Sequence, residues 1–493
     1  MNPKTVKKIL LSMSLAMLTA GCSSIVNAHR QKAEFMTAYL AGDTPKAEEN
    51  LRDYIESRRN TGDELMWQLE GGSFFFLSGN DRDGLAAFER AIQLTEEYDR
   101  RAVISARDLG NEGAAALTNS NALPYRGMCR DRIFMNIYSG FCRLGTGDGE
   151  NYRADVNRMR LAMNGAEAYF ASEIEAEKKE AEAAKKKSAS DLAATKVDPA
   201  KSEQLFLNDQ KFNDELKPTR EAALPEYGNF INPLALFISG LSYWRDDDVE
   251  NALVEFRKLH TAFPNSELAS RLFVTALKLA GRTDDEDEKL KDVKPFDFPV
   301  DRNAVYVLFA NGRAANYKPF RFELVLPYVG YTGIAFPVCE YHPAPFGSLR
   351  VGGVETLPLA SVDAIAAQEY TARLPGMITR LVVGYLVKEA AALVANETAR
   401  QNGNDGAYIA TVIGTSVYKY LFNTADTRCW EVLPKEFQLA ILPMPENRRL
   451  TLELAGTAPR ELIIPEDCRS AIIYVSAPVP ERCSVRTLAL KDR

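Results

Sequence analysis

One spacing of small and aromatic residues recurs in the first half of the chain and limits how it can fold. Its clearest instance consists of Gly240, Tyr243, Ala252, Phe256 and Pro264, at offsets of 3, 12, 16 and 24 from the glycine. A glycine lets two helices approach closely, an aromatic ring fills the space between them, and a proline ends a helix. The spacing therefore predicts a pair of packed helices over residues 234–264.

The same register occurs earlier in the chain. A second instance consists of Gly72, Phe75, Gly79, Gly84, Phe88 and Ala91, and a weaker third one of Gly42, Ala47, Leu51 and Tyr54. The spacing resembles the tetratricopeptide pattern, which implies stacked helix pairs with a concave groove for peptides or helices. An unrelated helical bundle is the alternative, but two units in one register favour the repeat array.

Helical periodicity extends from residue 31 to about residue 290, which predicts one helical-repeat domain. A charged segment interrupts this domain at about 173–217. Residues 175–187 combine strong helix formers with opposite charges three or four positions apart, as in a solvated helix. Residues 188–201 lose apolar content and predict a linker.

The second half changes character, and residues 297–493 predict one α+β domain with an antiparallel sheet. Short strands are expected at 305–309, 320–326, 334–338 and 348–354, and again at 436–442, 449–454, 461–464 and 471–475. Between these two sets, residues 361–422 predict a helical hairpin with a break at Pro375. Charged residues such as Arg380 and Lys419 interrupt its arms, so we expect it to pack on the sheet rather than enter a membrane.

The first 22 residues predict an exported lipoprotein. Lys4, Lys7 and Lys8 precede an apolar run of ten residues, too short to span a bilayer but typical of a signal peptide. The sequence L-T-A-G-C that ends at Cys22 resembles the lipobox of bacterial lipoproteins. This implies removal of residues 1–21 and a lipidated tether over 22–30 that holds the protein at the membrane. Because Ser23 follows the cysteine, the resemblance also implies sorting to the outer membrane, where we expect the domains to face the periplasm. A plain signal peptide with a chance cysteine is the alternative.

Six cysteines follow Cys22, and an even number permits disulfides in an exported protein. The pairs closest in sequence are Cys129 with Cys142 and Cys468 with Cys483, which are the candidate disulfides. Six cysteines allow fifteen pairings, so the choice stays open. Free buried thiols are the alternative for either pair.

The segment after the helical block is the most distinctive of the second half. Residues 425–434 read A-D-T-R-C-W-E-V-L-P, and residues 305–312, 333–337 and 368–380 carry further matching segments. Together with the lipobox they resemble an uncharacterised family of bacterial lipoproteins with tetratricopeptide-like helices, in which A-D-T-R-x-W-x-x-L-P follows an Ala/Gly-rich helical region. Members are often encoded beside lipoproteins that activate peptidoglycan synthases, which implies a cell-envelope role. The family has no established activity, and Cys429 within the motif departs from the expected pattern.

Asp426, Arg428 and Trp430 bring a carboxylate, a guanidinium and an indole close together in this motif. Such a group can grip a glycan or peptide, because tryptophan stacks on sugar faces and arginine pairs with carboxylates. In the structural alternative, Asp426 and Arg428 pair to fix the exit from the hairpin and Trp430 packs in the core. We favour the structural role.

The sequence contains no HExxH, P-loop, GxSxG or CxxC motif. Cys339 and His342 lie three apart on a predicted strand and would face opposite sides. With 60 basic and 67 acidic residues, the net charge of −7 gives no indication of nucleic-acid binding. We therefore expect no cofactor or metal, and a non-enzymatic scaffold or adaptor for envelope proteins. An envelope glycan-binding protein or enzyme that uses the α+β domain is the alternative.

Overall fold

The computed structural model describes most of the chain. The described residues are 30–105, 124–187, 203–204, 207–282, 290–326, 330–401 and 425–490. The predicted signal peptide, Cys22 with its tether up to residue 29, the linker at 188–201 and the second hairpin arm lie outside the described residues. No helix in the described ranges is long and apolar enough to cross a membrane.

The first half of the chain is helical, as predicted. Its helices are α1 (30–40), α2 (Thr44–Ser57), α3 (Glu64–Ser78), α4 (Asp81–Ser105), α5 (Cys129–Thr146), α6 (Gly149–Lys187), α7 (Gln210–Ala222), α8 (Pro233–Arg245), α9 (Val249–Ala262) and α10 (Glu267–Leu279). A short 3-10 helix, Pro225–Phe230, precedes α8. The charged stretch at 175–187 forms the last part of α6 rather than a separate helix.

Four helix pairs, α1/α2, α3/α4, α5/α6 and α8/α9, are joined by the same tight turn. In each turn one residue adopts a left-handed backbone conformation, with φ of 77° at Gly42, 87° at Gly79, 82° at Gly147 and 56° at Asp247. The next residue is Asp or Asn, and its side chain accepts a hydrogen bond from the N–H three positions later, at 3.1–3.3 Å. Each turn thus ends one helix and caps the next.

Two of these pairs also share a close contact between helices. A Cβ atom added to Gly72 would lie 2.6 Å from the ring of Phe88, and one added to Gly240 would lie 2.5 Å from the ring of Phe256. Ala252 is fully buried beside that second contact. The glycines therefore allow the second helix of each pair to pack its phenylalanine ring directly against the first helix.

Strands dominate the second half, in three sheets. They are β1 (Ala304–Asn311), β2 (Asn316–Leu326), β3 (Gly330–Glu340), β4 (Leu349–Val351), β5 (Val354–Glu355), β6 (Leu357–Ser361), β7 (Glu436–Pro443), β8 (Arg449–Leu454), β9 (Arg460–Ile463), β10 (Ser470–Val479) and β11 (Arg482–Leu490). The largest sheet has the order β11-β10-β1-β7-β6. The predicted antiparallel strands are confirmed, with one exception: β1 and β10 pair in parallel.

The five-stranded sheet lies between two apolar layers. Alternate residues of β1 face opposite ways: Tyr306 and Leu308 belong to a core that includes the helices, whereas Val305 and Val307 contact the sheet formed by β5, β4, β8 and β9. All eight residues of β1 are buried for this reason. The helical half and the central sheet therefore share one hydrophobic core.

A third core lies at the β2–β3 ribbon, which packs against α7 and against the helix α11 (Val362–Gln401). The predicted break at Pro375 is wrong, because α11 continues through this residue. The hydroxyl of Tyr370 on α11 donates to the carbonyl of Pro337 on β3 at 2.8 Å. This contact holds the described arm of the predicted hairpin against the ribbon.

Neither candidate disulfide forms, and the six cysteines in the described ranges are free thiols. Cys129 and Cys142 lie on the same helix, α5, where 13 residues correspond to about 20 Å of rise. Cys468 precedes the open end of the β10–β11 hairpin and Cys483 lies near its turn. Both separations far exceed the roughly 7 Å between Cα atoms that a disulfide tolerates.

Candidate functional site

The motif segment 425–434 lies between α11 and β7 and contacts the helical half. Asp426 accepts hydrogen bonds from the backbone N–H of Arg428 at 3.1 Å and from its guanidinium at 2.7 and 2.9 Å. The same guanidinium donates to Asp63, next to the start of α3, at 3.1 Å. Asp426 and Arg428 thus form the predicted pair, and the pair also ties the segment to the helices.

Trp430 is fully buried at this contact. Its indole N–H donates to the hydroxyl of Ser73 on α3 at 3.0 Å. Its ring lies 6.0 Å from the ring of Phe88 and 5.8 Å from that of Tyr138, between centroids. A ring with no exposed face cannot stack on a sugar, so Trp430 acts here as a core residue.

Glu70, one turn before Ser73 on α3, binds the backbone of the motif. Its carboxylate oxygens accept from the N–H groups of Glu431 at 2.7 Å and Val432 at 3.0 Å. Lys32 on α1 reaches the same place, with its ammonium 3.1 Å from Glu431 and 3.6 Å from Glu70. Lys32 also donates to the carbonyl of Cys429. The motif is therefore held through its backbone as well as its side chains.

Burial shifts the pKa values of the ionisable side chains in this cluster. It raises the pKa of Glu70 to about 7, although the neighbouring Lys32 opposes the shift. Burial alone would lower the pKa of Lys32, but attraction by Cys429, Glu431 and Glu70 outweighs it, and the pKa is raised. Burial also raises the pKa of the Cys429 thiol to about 12. We infer a charged Lys32 beside a Glu70 that titrates near neutral pH and a Cys429 thiol that stays protonated.

Cys339 and His342 do not form the arrangement of a nucleophile and its base. Burial raises the pKa of the Cys339 thiol to about 11, so the thiol stays protonated at neutral pH. The ring of His342 contacts the guanidinium of Arg313 at 3.0 Å and the side-chain oxygen of Asn316 at 2.6 Å. Burial and the charge of Arg313 lower the pKa of His342. Its two ring nitrogens are thus engaged by these neighbours rather than by a thiol.

Three residues of the predicted repeat spacing remain to be described, Phe75, Tyr243 and Pro264. Phe75 is buried beneath the guanidinium of Arg52, and Tyr243 is half-buried beneath that of Arg160. Pro264 follows the end of α9 in an exposed turn. These positions agree with the roles that the spacing predicts for aromatic residues and for the closing proline.

Sequence reasoning missed the helical side of the contact, namely Lys32, Asp63, Glu70 and Ser73. One signal was present: Glu70 is the single charged residue in the otherwise apolar or neutral stretch 65–78 of α3. A carboxylate in such a stretch needs a buried partner. Nothing in the sequence around Lys32 indicates that it is buried, because polar and apolar residues alternate there as they do in an ordinary surface helix.

In comparisons with known proteins, no family model, no curated protein and no solved structure matches the chain. In the described ranges, no group of three or more His, Cys, Asp or Glu side chains is placed to hold a metal ion. The fold and the contacts define a protein in which a helical half and a β-rich half are joined by a buried motif segment.

Proposed function

We propose that this chain is a lipid-anchored scaffold or adaptor of the bacterial cell envelope, without catalytic activity of its own. The observation that carries the proposal is the N-terminal sequence, with its basic residues, short apolar run and lipobox ending at Cys22. Two or more acyl chains at one cysteine give stable anchoring, since each buried methylene contributes about 0.8 kcal/mol. Ser23 supports an outer-membrane location, and we propose that the domains face the periplasm.

We further propose that the helix pairs are tetratricopeptide-like repeats. Support comes from the four turns, each of which has one left-handed residue followed by an Asp or Asn that caps the next helix. The matching contacts of Gly72 with Phe88 and of Gly240 with Phe256 add to it. Arrays of such repeats form extended binding surfaces, which favours the adaptor role.

The motif at 425–434 bears on the kind of partner. The family that the motif resembles is often encoded beside activators of peptidoglycan synthases, so we propose partners in peptidoglycan synthesis. The burial of Trp430 argues against the alternative in which this residue stacks on a glycan. α11, the described arm of the proposed helical hairpin, packs on the β2–β3 ribbon through Tyr370, Ile378 and Val382.

The anchor is tested by replacing Cys22 with serine and separating envelopes from soluble protein by sedimentation. We expect wild type in the envelope fraction and Cys22→Ser in the soluble periplasmic fraction. Cys483→Ser is the matched control, because it removes a thiol that is exposed and far along the chain. If Cys22→Ser sediments as completely as wild type and the control, the anchoring proposal is wrong.

A further inference from the structure

The first turn of α1 is fixed to the rest of the folded protein. Lys32, the third residue of α1, is 6% exposed, and its ammonium lies 3.1 Å from the carboxylate of Glu431. One position earlier, the side-chain oxygen of Gln31 accepts hydrogen bonds from the guanidinium of Arg58 at 2.7 and 3.1 Å. Unwinding this turn would break both contacts, so the chain belongs to the folded body from the start of α1 onward.

The chain between Cys22 and the start of α1 is short. Eight peptide units join Cys22 to Arg30. A fully extended chain spans at most about 3.6 Å per residue, so this stretch reaches at most about 29 Å. A compact chain as long as the remainder has a radius of gyration of about 23 Å and hence a diameter of about 60 Å. The tether therefore keeps the start of α1 on the half of the protein that faces the membrane.

Two further segments lie beside the start of α1. The end of α2 reaches it through Arg58, and the motif segment reaches the loop after α2 through the hydrogen bond of 3.1 Å from Arg428 to Asp63. We call the surface formed by Arg30, residues 58–63 and residues 425–428 the anchor end. It combines the start of the helical half with the start of the motif.

Exposed charges at the anchor end are paired within the protein. Arg30 lies 3.4 Å from Glu34, and Arg59 lies 3.1 Å from Glu56. Pairs of opposite charge on a surface exert little net attraction on an anionic lipid surface. The length of the tether, rather than charge, is therefore what would bring this end to the lipids.

The opposite end of these helices carries the turn of the β10–β11 hairpin. The guanidinium of Arg482, at this turn, lies 4.1 Å from the centre of the Tyr39 ring, near the end of α1. Cys483 follows it and is exposed. α2, which has 14 residues, rises about 21 Å between the two ends. Residue 59 and Cys483 thus mark opposite ends of the first helix pair.

We propose that the anchor end lies against the phospholipid headgroups of the membrane and that the β10–β11 turn points away from it. This inference rests on the proposed lipid anchor at Cys22 and assigns the surface of the protein that meets the lipids. The contact of Lys32 with Glu431 then lies on the membrane side. A soluble partner approaches the helices from the end that carries the turns at Gly42 and Gly79.

The test uses the lipidated full chain in vesicles of phosphatidylethanolamine and phosphatidylglycerol, with an acceptor dye on some of the headgroups. A donor dye is attached either to Cys483 of wild type or to Arg59→Cys in a Cys483→Ser background. Energy transfer then gives the distance of closest approach between each donor and the membrane. The donor at position 59 should be closer by at least about 10 Å, half the rise of α2.

A longer tether provides the matched control. Twenty Gly and Ser residues inserted after Ala28 extend the root-mean-square reach of the tether to about 30 Å, which lets the body turn over on the membrane. The insertion should remove most of the difference between the two donor distances. It changes no residue of the folded body, and Arg59→Cys removes only the exposed pair with Glu56.

Equal distances for the two donors, or a shorter distance for Cys483, would overturn the proposal. A difference that persists in full after the insertion would also overturn it, because a contact other than the tether would then set the orientation. Flotation of the same vesicles separates this failure from that of the anchor. Protein that does not float contradicts the anchor at Cys22 and the orientation together, whereas protein that floats with equal donor distances contradicts the orientation alone.

Discussion

Trp430 donates its indole N–H to the hydroxyl of Ser73 at 3.0 Å, across 357 positions of the chain. One turn away on α3, Glu70 accepts two backbone N–H groups of the same segment. A second link runs between the phenol oxygens of Tyr138 on α5 and Tyr474 on β10, 2.7 Å apart. Because these contacts lie inside one continuous core, we expect the two halves of the protein to unfold together.

The first prediction concerns Trp430. Replacing it with alanine removes a fully buried indole and leaves a cavity, which should lower the free energy of unfolding by about 3–5 kcal/mol. Ser73→Ala should cost less, about 1 kcal/mol, because it removes only the hydrogen bond, although the buried indole N–H loses its partner. Urea denaturation, followed by circular dichroism, measures both. Separate transitions for helix and sheet signals would contradict the shared core.

The second prediction concerns the pH dependence that Glu70 produces. Its pKa is raised from 4.5 to about 7, so the folded protein binds a proton that the unfolded chain has released. Stability from this group is therefore highest below about pH 4.5, falls as the pH rises towards 7, and stays low above it. The full loss is about 3 kcal/mol. Glu70→Gln should reduce the difference in unfolding free energy between about pH 5 and about pH 8.

Glu64→Gln on the same helix is the control for this measurement. Burial of Glu64 is outweighed by its hydrogen bonds from Arg90 and the backbone of Asn60, and its pKa is lowered. Its titration lies below that of a free carboxyl, so this variant should leave the difference between the two pH values unchanged. An equal effect of Glu70→Gln and Glu64→Gln would show that Glu70 does not titrate near neutral pH.

The third prediction concerns the two glycines at the helix contacts. Gly72→Ala and Gly240→Ala should each destabilise the protein by about 1–3 kcal/mol, because the added methyl overlaps the ring of Phe88 or Phe256. Gly165→Ala, in α6, meets no atom within 4 Å and should be neutral or slightly stabilising. Combining Gly72→Ala with Phe88→Leu should recover part of the loss. If all three single variants behave alike in thermal unfolding, the close contacts do not exist.

The fourth prediction concerns the thiols. Of the six described cysteines only Cys483 is exposed, so in the folded protein it should react with a thiol reagent faster than the other five, although partial burial raises its pKa. Cys483→Ser should remove this fast reaction, and denaturation should release the five buried thiols. Mass spectrometry of the unreduced protein should find no peptide that links Cys129 to Cys142. Such a linked peptide would contradict the single helix on which both residues lie.

Much of the fold could be predicted from short stretches of sequence. The predicted strand at 305–309 is the centre of β1, and the predicted strand at 449–454 matches β8. Strands β6 and β11 were missed because β6 contains Pro358 and β11 carries Arg482 and Arg486, features that weaken the alternation of apolar residues. Both are edge strands of the central sheet, where such residues are tolerated.

The sequence by itself determined the helix pairs and their turns, because a left-handed glycine and an Asp or Asn cap act on residues within about four positions. Only the tertiary structure decided that the helices and the sheet share a core, that Lys32 and Glu70 meet residues 429–432, and that β1 pairs in parallel with β10. The contacts of Lys32 and Glu70 and the pairing of β1 with β10 each join segments more than 150 positions apart. Local periodicity shows which face of an element is apolar, but the partner of that face depends on how the whole chain packs.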